Sequence, residues 1–83
     1  MKKSVKEIQQ EKLQELLRQI RQDKRIRQAE LAEKLGVPQS YVSKYESGDR
    51  RLDVLELRQI CSAMNIPIKE FIQKLEDRLN ETK

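Results

Sequence analysis

Apolar residues recur along the chain every three or four positions, the spacing that places side chains on one face of an α-helix. The first such stretch begins after Ser4, which has capping-box spacing with Glu7, and ends near Lys24. The sequence therefore predicts a long first helix. Its apolar positions are Val5, Ile8, Leu13, Leu16, Leu17 and Ile20.

Two short helices are predicted next, with a glycine at the end of each. The second helix covers 28–35 and stops at Gly36, because glycine readily takes the left-handed conformation that ends helices. The third covers 39–47 and stops at Gly48. Pro38 suits the start of the third helix, since an N–H in the first turn has no intrahelical partner. The apolar positions of the second helix are Leu31, Ala32 and Leu35.

The remaining pattern predicts two more helices and a polar tail. Asp53 and Glu56 form a capping-box-like start for the fourth helix, and Asn65 suits its left-handed end. Pro67 lies in or just before the first turn of the fifth helix, and polar residues 80–83 follow it. The apolar positions are Val54, Leu57, Ile60, Cys61 and Met64 in the fourth helix, and Ile68, Phe71, Ile72, Leu75 and Leu79 in the fifth.

The composition of the 83-residue chain suits a small helical protein and excludes several kinds of chemistry. Hydrophobic residues make up 36% and charged residues 39%, and no internal repeat or linker is visible, so we predict one all-α domain over 1–83. A single cysteine excludes an intramolecular disulfide and a thiol-pair zinc site, and the absence of histidine excludes a His-activated nucleophile. We therefore expect no enzyme activity, cofactor or metal, and interpret Cys61 as a small buried apolar residue.

The charge distribution points to a possible kind of partner. Net charge is +4, and the segment from Arg18 to Arg51 holds nine Lys or Arg against five Asp or Glu. Such a basic region suits a polyanionic partner, although an ordinary solvated surface has the same composition. No stretch resembles a signal peptide or is apolar enough to span a bilayer, so we expect no membrane partner and a cytoplasmic location.

Three segments carry a more specific pattern. They are QAELAEKLGV (Gln28–Val37), YVSKYESGDRRLDV (Tyr41–Val54) and LRQICSAMNI (Leu57–Ile66). Through them the chain resembles, over about residues 17–71, the helix-turn-helix domains of the phage-repressor, Cro-like and Xre type. The resemblance implies a compact five-helix, lambda-repressor-like fold with an extended first helix. It also implies a prokaryotic DNA-binding protein.

The third helix is expected to have a buried edge and an exposed face. Val42 and Tyr45, with Val37 before them, are predicted to anchor it against the core. The side chains predicted to face outward are Gln39, Ser40, Ser43 and Lys44. The DNA major groove, about 12 Å wide, admits a helix and presents donors and acceptors that glutamine and serine can bond. The resemblance implies that these four side chains read bases, with Ser43 at the margin; the alternative is a solvated surface.

The resemblance also implies a set of contacts to DNA phosphates. The candidates are Gln28, Arg27, Lys24, Arg50, Arg51 and Tyr41. Gln28 corresponds to a glutamine that bonds a phosphate and supports the reading helix, and a helix N-terminus favours an anion in any case. Arg50 and Arg51 lie at positions where members of the family bind the DNA backbone. Tyr41 has two interpretations, stacking on sugar or phosphate and packing at the domain edge, and we favour the edge.

One acidic residue and two departures from the family pattern bear on this interface. Glu46 is expected to pair locally with Arg50 or Arg51. Pro38 stands where serine or threonine commonly caps the reading helix, so one cap bond or phosphate contact is expected to be missing. The turn after Gly48 also lacks the proline often found there in the family.

Two functions from different classes follow. The first is a transcriptional regulator of double-stranded DNA, a repressor that reads a palindromic operator as a homodimer. The alternative is an antitoxin or helical adaptor whose main partner is another protein and which uses the stripe of the fifth helix. Leu75 and Leu79, or the first helix from Val5 to Leu13, are the candidate dimer surfaces.

Overall fold

The computed structural model describes residues 2–81, which form five α-helices and no strand. The helices are α1 (Val5–Asp23), α2 (Gln28–Leu35), α3 (Gln39–Ser47), α4 (Val54–Ala63) and α5 (Ile68–Asn80). The predicted all-α, five-helix fold is confirmed. The polar tail expected over 80–83 begins one residue later, because α5 includes Asn80, and its last two residues lie outside the described range.

Both predicted capping boxes are present, one at the start of α1 and one at the start of α4. The side-chain cap that Pro38 was expected to deny to α3 is absent. The Ser4 hydroxyl accepts a hydrogen bond from the Glu7 backbone N–H at 3.1 Å, and an Asp53 carboxylate oxygen accepts one from Glu56 at 2.7 Å. Pro38 is the residue before α3 and gives it no side-chain cap bond. In this first turn the Tyr41 N–H donates instead to the Pro38 backbone carbonyl at 3.0 Å.

Left-handed residues end four of the five helices. Gly36 (φ 71°), Gly48 (φ 94°) and Asn65 (φ 64°) do so as predicted. Arg25 also has a positive φ, 58°, which the sequence pattern did not predict because arginine carries a Cβ that makes this conformation cost about 1–2 kcal/mol. The hydrogen bond from Ile26 N–H to the Arg21 carbonyl, 3.1 Å, closes the turn that leads into α2.

The core lies between the five helices: α1 packs against α3 and α5, α2 packs against α3 and α4, and α4 packs against α5. Its buried apolar residues are Leu16, Leu17, Ile20, Leu31, Ala32, Val42, Tyr45, Leu57, Ile60, Cys61, Met64, Ile66 and Phe71. Burial of Cys61 is confirmed, and desolvation raises the pKa of its thiol to about 11, so the thiol stays protonated as a small apolar group.

Several residues of the predicted apolar faces are exposed. Val5 and Ile8 are 71% and 41% exposed, because α1 is 19 residues long, about 28 Å, and its first turns extend beyond the core. Val54 is 66% exposed at the start of α4, and Ile72 is 40% exposed on α5. No helix within residues 2–81 is both long and apolar enough to cross a membrane.

Tyr45 carries an unpaired hydroxyl in this core. The residue is 1% exposed, and its Oη is the buried side-chain polar atom without a hydrogen-bond partner among residues 2–81. Desolvation raises the pKa of the phenol far above its usual value. An unpaired buried hydroxyl is a cost of about 1–3 kcal/mol that the ring's packing must offset.

We predict that Tyr45→Phe leaves the protein as stable or raises the free energy of unfolding by about 1 kcal/mol, since the ring stays and the desolvated hydroxyl goes. Urea unfolding measures this. Tyr41→Phe is the matched control, because the Tyr41 hydroxyl lies 3.3 Å from a Glu56 carboxylate oxygen and its loss removes a bond. A clear loss of stability in Tyr45→Phe would contradict this account of the core.

Candidate nucleic-acid interface

Helix α3 has one buried edge and one exposed face. Val42 and Tyr45 are 0% and 1% exposed. The four side chains expected to face outward are all exposed: Gln39, Ser40, Ser43 and Lys44. An amide, two hydroxyls and an ammonium group thus form one accessible surface, with both donors and acceptors.

The turn between α2 and α3 sets how the two helices meet. At Gly36 the chain is left-handed, and the Val37 N–H donates to the Ala32 carbonyl at 3.0 Å. Ala32 is 3% exposed, so a small side chain lies where the two helices pack. This is the short helix, bend and second helix that define a helix-turn-helix unit.

A buried ion pair holds one side of α3. The Glu46 carboxylate accepts bonds from Arg21 Nε at 2.7 Å and Nη2 at 3.0 Å, and the Gln28 amide donates to the same carboxylate at 3.0 Å. The Arg21 and Glu46 side chains are 10% and 4% exposed. Arg21 Nη1 also donates to the Ile26 carbonyl at 2.8 Å. Helices α1, α2 and α3 are therefore joined by one bidentate network.

This network corrects the expectation for Glu46. We predicted a local pair with Arg50 or Arg51, but the partner is Arg21, twenty-five residues earlier in the chain. A signal was present: Arg21 lies four residues after Leu17, on the buried face of the helix, where a charge needs a partner. The hydrogen bond with Glu46 raises the pKa of Arg21 further.

A second polar cluster lies at the other side of α3. Arg50 Nη2 donates to Glu56 Oε2 at 2.5 Å, and the Arg50 guanidinium carbon lies 4.5 Å from the centre of the Tyr41 ring. Tyr41 meets Tyr45 edge to face, with ring centres 5.9 Å apart. Tyr41 is half-buried against the core, which agrees with the favoured edge position. The backbone N–H of Arg50 donates to the Lys44 carbonyl at 3.1 Å and ties this turn to α3.

Helical geometry places the two clusters at opposite borders of the exposed face. Glu46 comes seven residues, about two turns, after Gln39, so the buried ion pair borders the Gln39 side. Tyr41 comes three residues before Lys44 and borders that side. The exposed face of α3 is thus flanked by Gln28 on one side and Arg50 on the other.

The remaining predicted phosphate contacts are Arg27, Arg51 and Lys24. Arg27 precedes α2 and its Nε donates to Glu30 at 2.9 Å, while Arg51 is exposed. Lys24 Nζ lies 3.4 Å from the Asn65 carbonyl, so its contact is with the turn after α4 and not with α3. Residues 2–81 contain no cluster of three acidic or sulfur side chains able to hold a metal ion.

Comparison with known proteins gives the family. A helix-turn-helix family model matches residues 17–71. The chain belongs to the Xre-type helix-turn-helix family. A solved structure of an XRE-family like protein from Pseudomonas syringae pv. tomato str. DC3000 is 38% identical, covers 89% of this chain and 90% of its own, and superposes with a TM-score of 0.84. No curated protein matches the chain. Membership of the Xre family indicates a DNA-binding transcriptional regulator.

The buried ion pair generates a stability prediction. Glu46→Ala leaves the Arg21 guanidinium buried without its counter-charge, so we expect a loss of about 3–5 kcal/mol in unfolding free energy. Adding Arg21→Met should recover much of that loss, because no charge then remains buried. Glu11→Ala is the control, since it breaks the exposed pair with Lys3 and should change little. Equal effects of Glu46→Ala and Glu11→Ala would contradict the account.

Proposed function

We propose that the protein is a sequence-specific regulator, acting as a repressor, that inserts α3 into the major groove of double-stranded DNA. The observation that carries this proposal is the exposed face of α3: four bonding side chains on a short helix whose opposite edge is buried and whose two borders are braced. A helix held in this way presents its outer face in one orientation. That is the requirement for reading base edges.

The chemistry of the exposed face suits base recognition. The Gln39 amide can bond an adenine through both its donor and its acceptor, and an ammonium such as that of Lys44 bonds guanine acceptors. The hydroxyls of Ser40 and Ser43 can donate or accept and so discriminate less. Because Gln39 opens α3, it is the side chain placed to reach deepest into the groove.

The flanks suit the two phosphate backbones that border the groove. A glutamine amide has two N–H donors, and Gln28 uses one on Glu46, so the second can bond a phosphate while the first holds α3. On the opposite flank we place Arg50, Arg51 and Tyr41. Arg27, the residue before Gln28, extends that side, and Lys24 adds a contact from the turn after α1, apart from both flanks. All of these contacts add affinity and salt dependence without base choice.

The regulator is proposed to act as a homodimer in the prokaryotic cytoplasm, without catalysis or cofactor. Val5 and Ile8 lie one turn apart on α1 and are both exposed, so together they offer an apolar surface to a second copy. Two copies would place their α3 helices about 34 Å apart, one turn of the duplex, which calls for a palindromic operator. The adaptor or antitoxin alternative would instead use the apolar stripe of α5, where Ile72 is 40% exposed, to bind a different protein.

Selection from a random duplex pool supplies a DNA site for the first test. We predict that Gln39→Ala weakens binding to the selected site about tenfold or more, while binding to random duplex changes little, because a base contact is lost and phosphate contacts remain. Gln59→Ala, an exposed glutamine on α4, is the matched control. Fluorescence anisotropy measures both affinities. If Gln39→Ala behaved like Gln59→Ala, α3 would not be the reading helix.

The dimer is tested on the apolar surface. We expect Val5→Asp with Ile8→Asp to convert a dimer to a monomer in sedimentation equilibrium and to weaken palindromic sites more than half-sites. The control is Val54→Asp with Leu55→Asp, two residues on α4 that are 66% and 67% exposed. A wild-type protein that stays monomeric at micromolar concentration would contradict the dimer proposal.

A further inference from the structure

The two carboxylate oxygens of Glu56 make different contacts and have different roles. Oε1 accepts the Asp53 backbone N–H at 3.0 Å and completes the capping box of α4. Oε2 points the other way, to Arg50 Nη2 at 2.5 Å and the Tyr41 hydroxyl at 3.3 Å. Capping α4 requires only the first oxygen. The second is therefore available to act on Arg50.

Two contacts position the Arg50 guanidinium, and a backbone hydrogen bond positions the turn that carries it. Its carbon lies 4.5 Å from the Tyr41 ring centre, one nitrogen is bonded to Glu56, and its backbone is bonded to Lys44. The Arg50 and Glu56 side chains are still 42% and 26% exposed, so a large anion can reach them. The hydrogen bond with Glu56 raises the pKa of Arg50. The hydrogen bond from the Asp53 backbone, and then the one from Arg50, lower the pKa of Glu56. Both the guanidinium and the carboxylate are therefore charged at neutral pH.

A carboxylate and a phosphate compete for the same guanidinium edge, because both accept parallel N–H bonds from it. Glu56 also brings a negative charge within bonding distance of a group placed to meet DNA. Both effects lower the gain from an Arg50–phosphate contact, whatever the DNA sequence.

We propose that Glu56 restrains Arg50 and so lowers the affinity of this flank for DNA phosphates. This inference rests on the proposed DNA-binding function. Glu56 is thus a residue that tunes affinity for DNA in general. The reading face of α3 contributes base choice, and the restrained flank keeps sequence-independent binding low.

Glu56→Gln is a close test, because glutamine is itself a capping-box residue and keeps the acceptor for the Asp53 N–H. Thermal unfolding checks that the fold is retained. We expect Glu56→Gln to bind a random 20-base-pair duplex about three- to tenfold tighter at low salt, with the slope of log K against log salt steeper by up to about 1. Glu76→Gln makes the same charge change at an exposed position on α5 and should stay close to wild type.

Arg50→Gln completes a double-mutant cycle. The gain from Glu56→Gln should vanish when Arg50 is also replaced, and Arg50→Gln should cost the Glu56→Gln variant more than it costs wild type. Three results would overturn the proposal: Glu56→Gln binding like Glu76→Gln, Glu56→Gln binding more weakly, or a gain that survives without Arg50. Because these measurements use random duplex, they are independent of the Gln39 test, and failure of sequence reading can be told apart from failure of the restraint.

Discussion

The ion pair between Arg21 of α1 and Glu46 of α3 is the contact on which the orientation of α3 depends. Only Val42 and Tyr45 of this helix are fully buried, and apolar contact has no preferred direction. The bidentate ion pair does have a preferred direction, because its two parallel N–H···O bonds, at 2.7 and 3.0 Å, fix both the position and the angle of the Glu46 carboxylate. Rotation of α3 about its axis would break them and leave charge buried. The direction in which the exposed side chains of α3 point therefore depends on this buried ion pair.

Other polar residues near α3 also combine two structural roles. Gln28 opens α2 and donates to Glu46, while Glu56 caps α4 and bonds Arg50. A domain with a small core has few apolar contacts to spare, so hydrogen bonds specify how its helices are turned. These residues also lie at the borders of the exposed face. The flanks that support α3 are thus the same ones that we propose contact DNA phosphates.

Local chemistry was readable from the sequence, and long-range pairing was not. Ser4 and Asp53 marked helix starts because capping depends on neighbours three residues away, and Gly36 and Asn65 marked helix ends for a similar reason. The place of Arg21 on the buried face of α1 indicates that it needs a partner, but which acid it pairs with depends on how α1 and α3 pack. The helical period also put the exposed Val5 and the buried Leu17 on one stripe, because a stripe does not show where the core ends. The exposed face of α3 followed from the burial of its opposite edge, while its role in DNA binding remains a proposal.

The most direct measurement is a titration of ¹⁵N-labelled protein with a selected duplex, followed by ¹H–¹⁵N spectra that include side-chain amides. The account predicts that the largest shifts fall on the first turns of α3, on the Gln28 and Gln39 side-chain amides, and on the turn around Arg50. Shifts concentrated on α5 and absent from α3 would show that another surface binds DNA and would contradict the central claim.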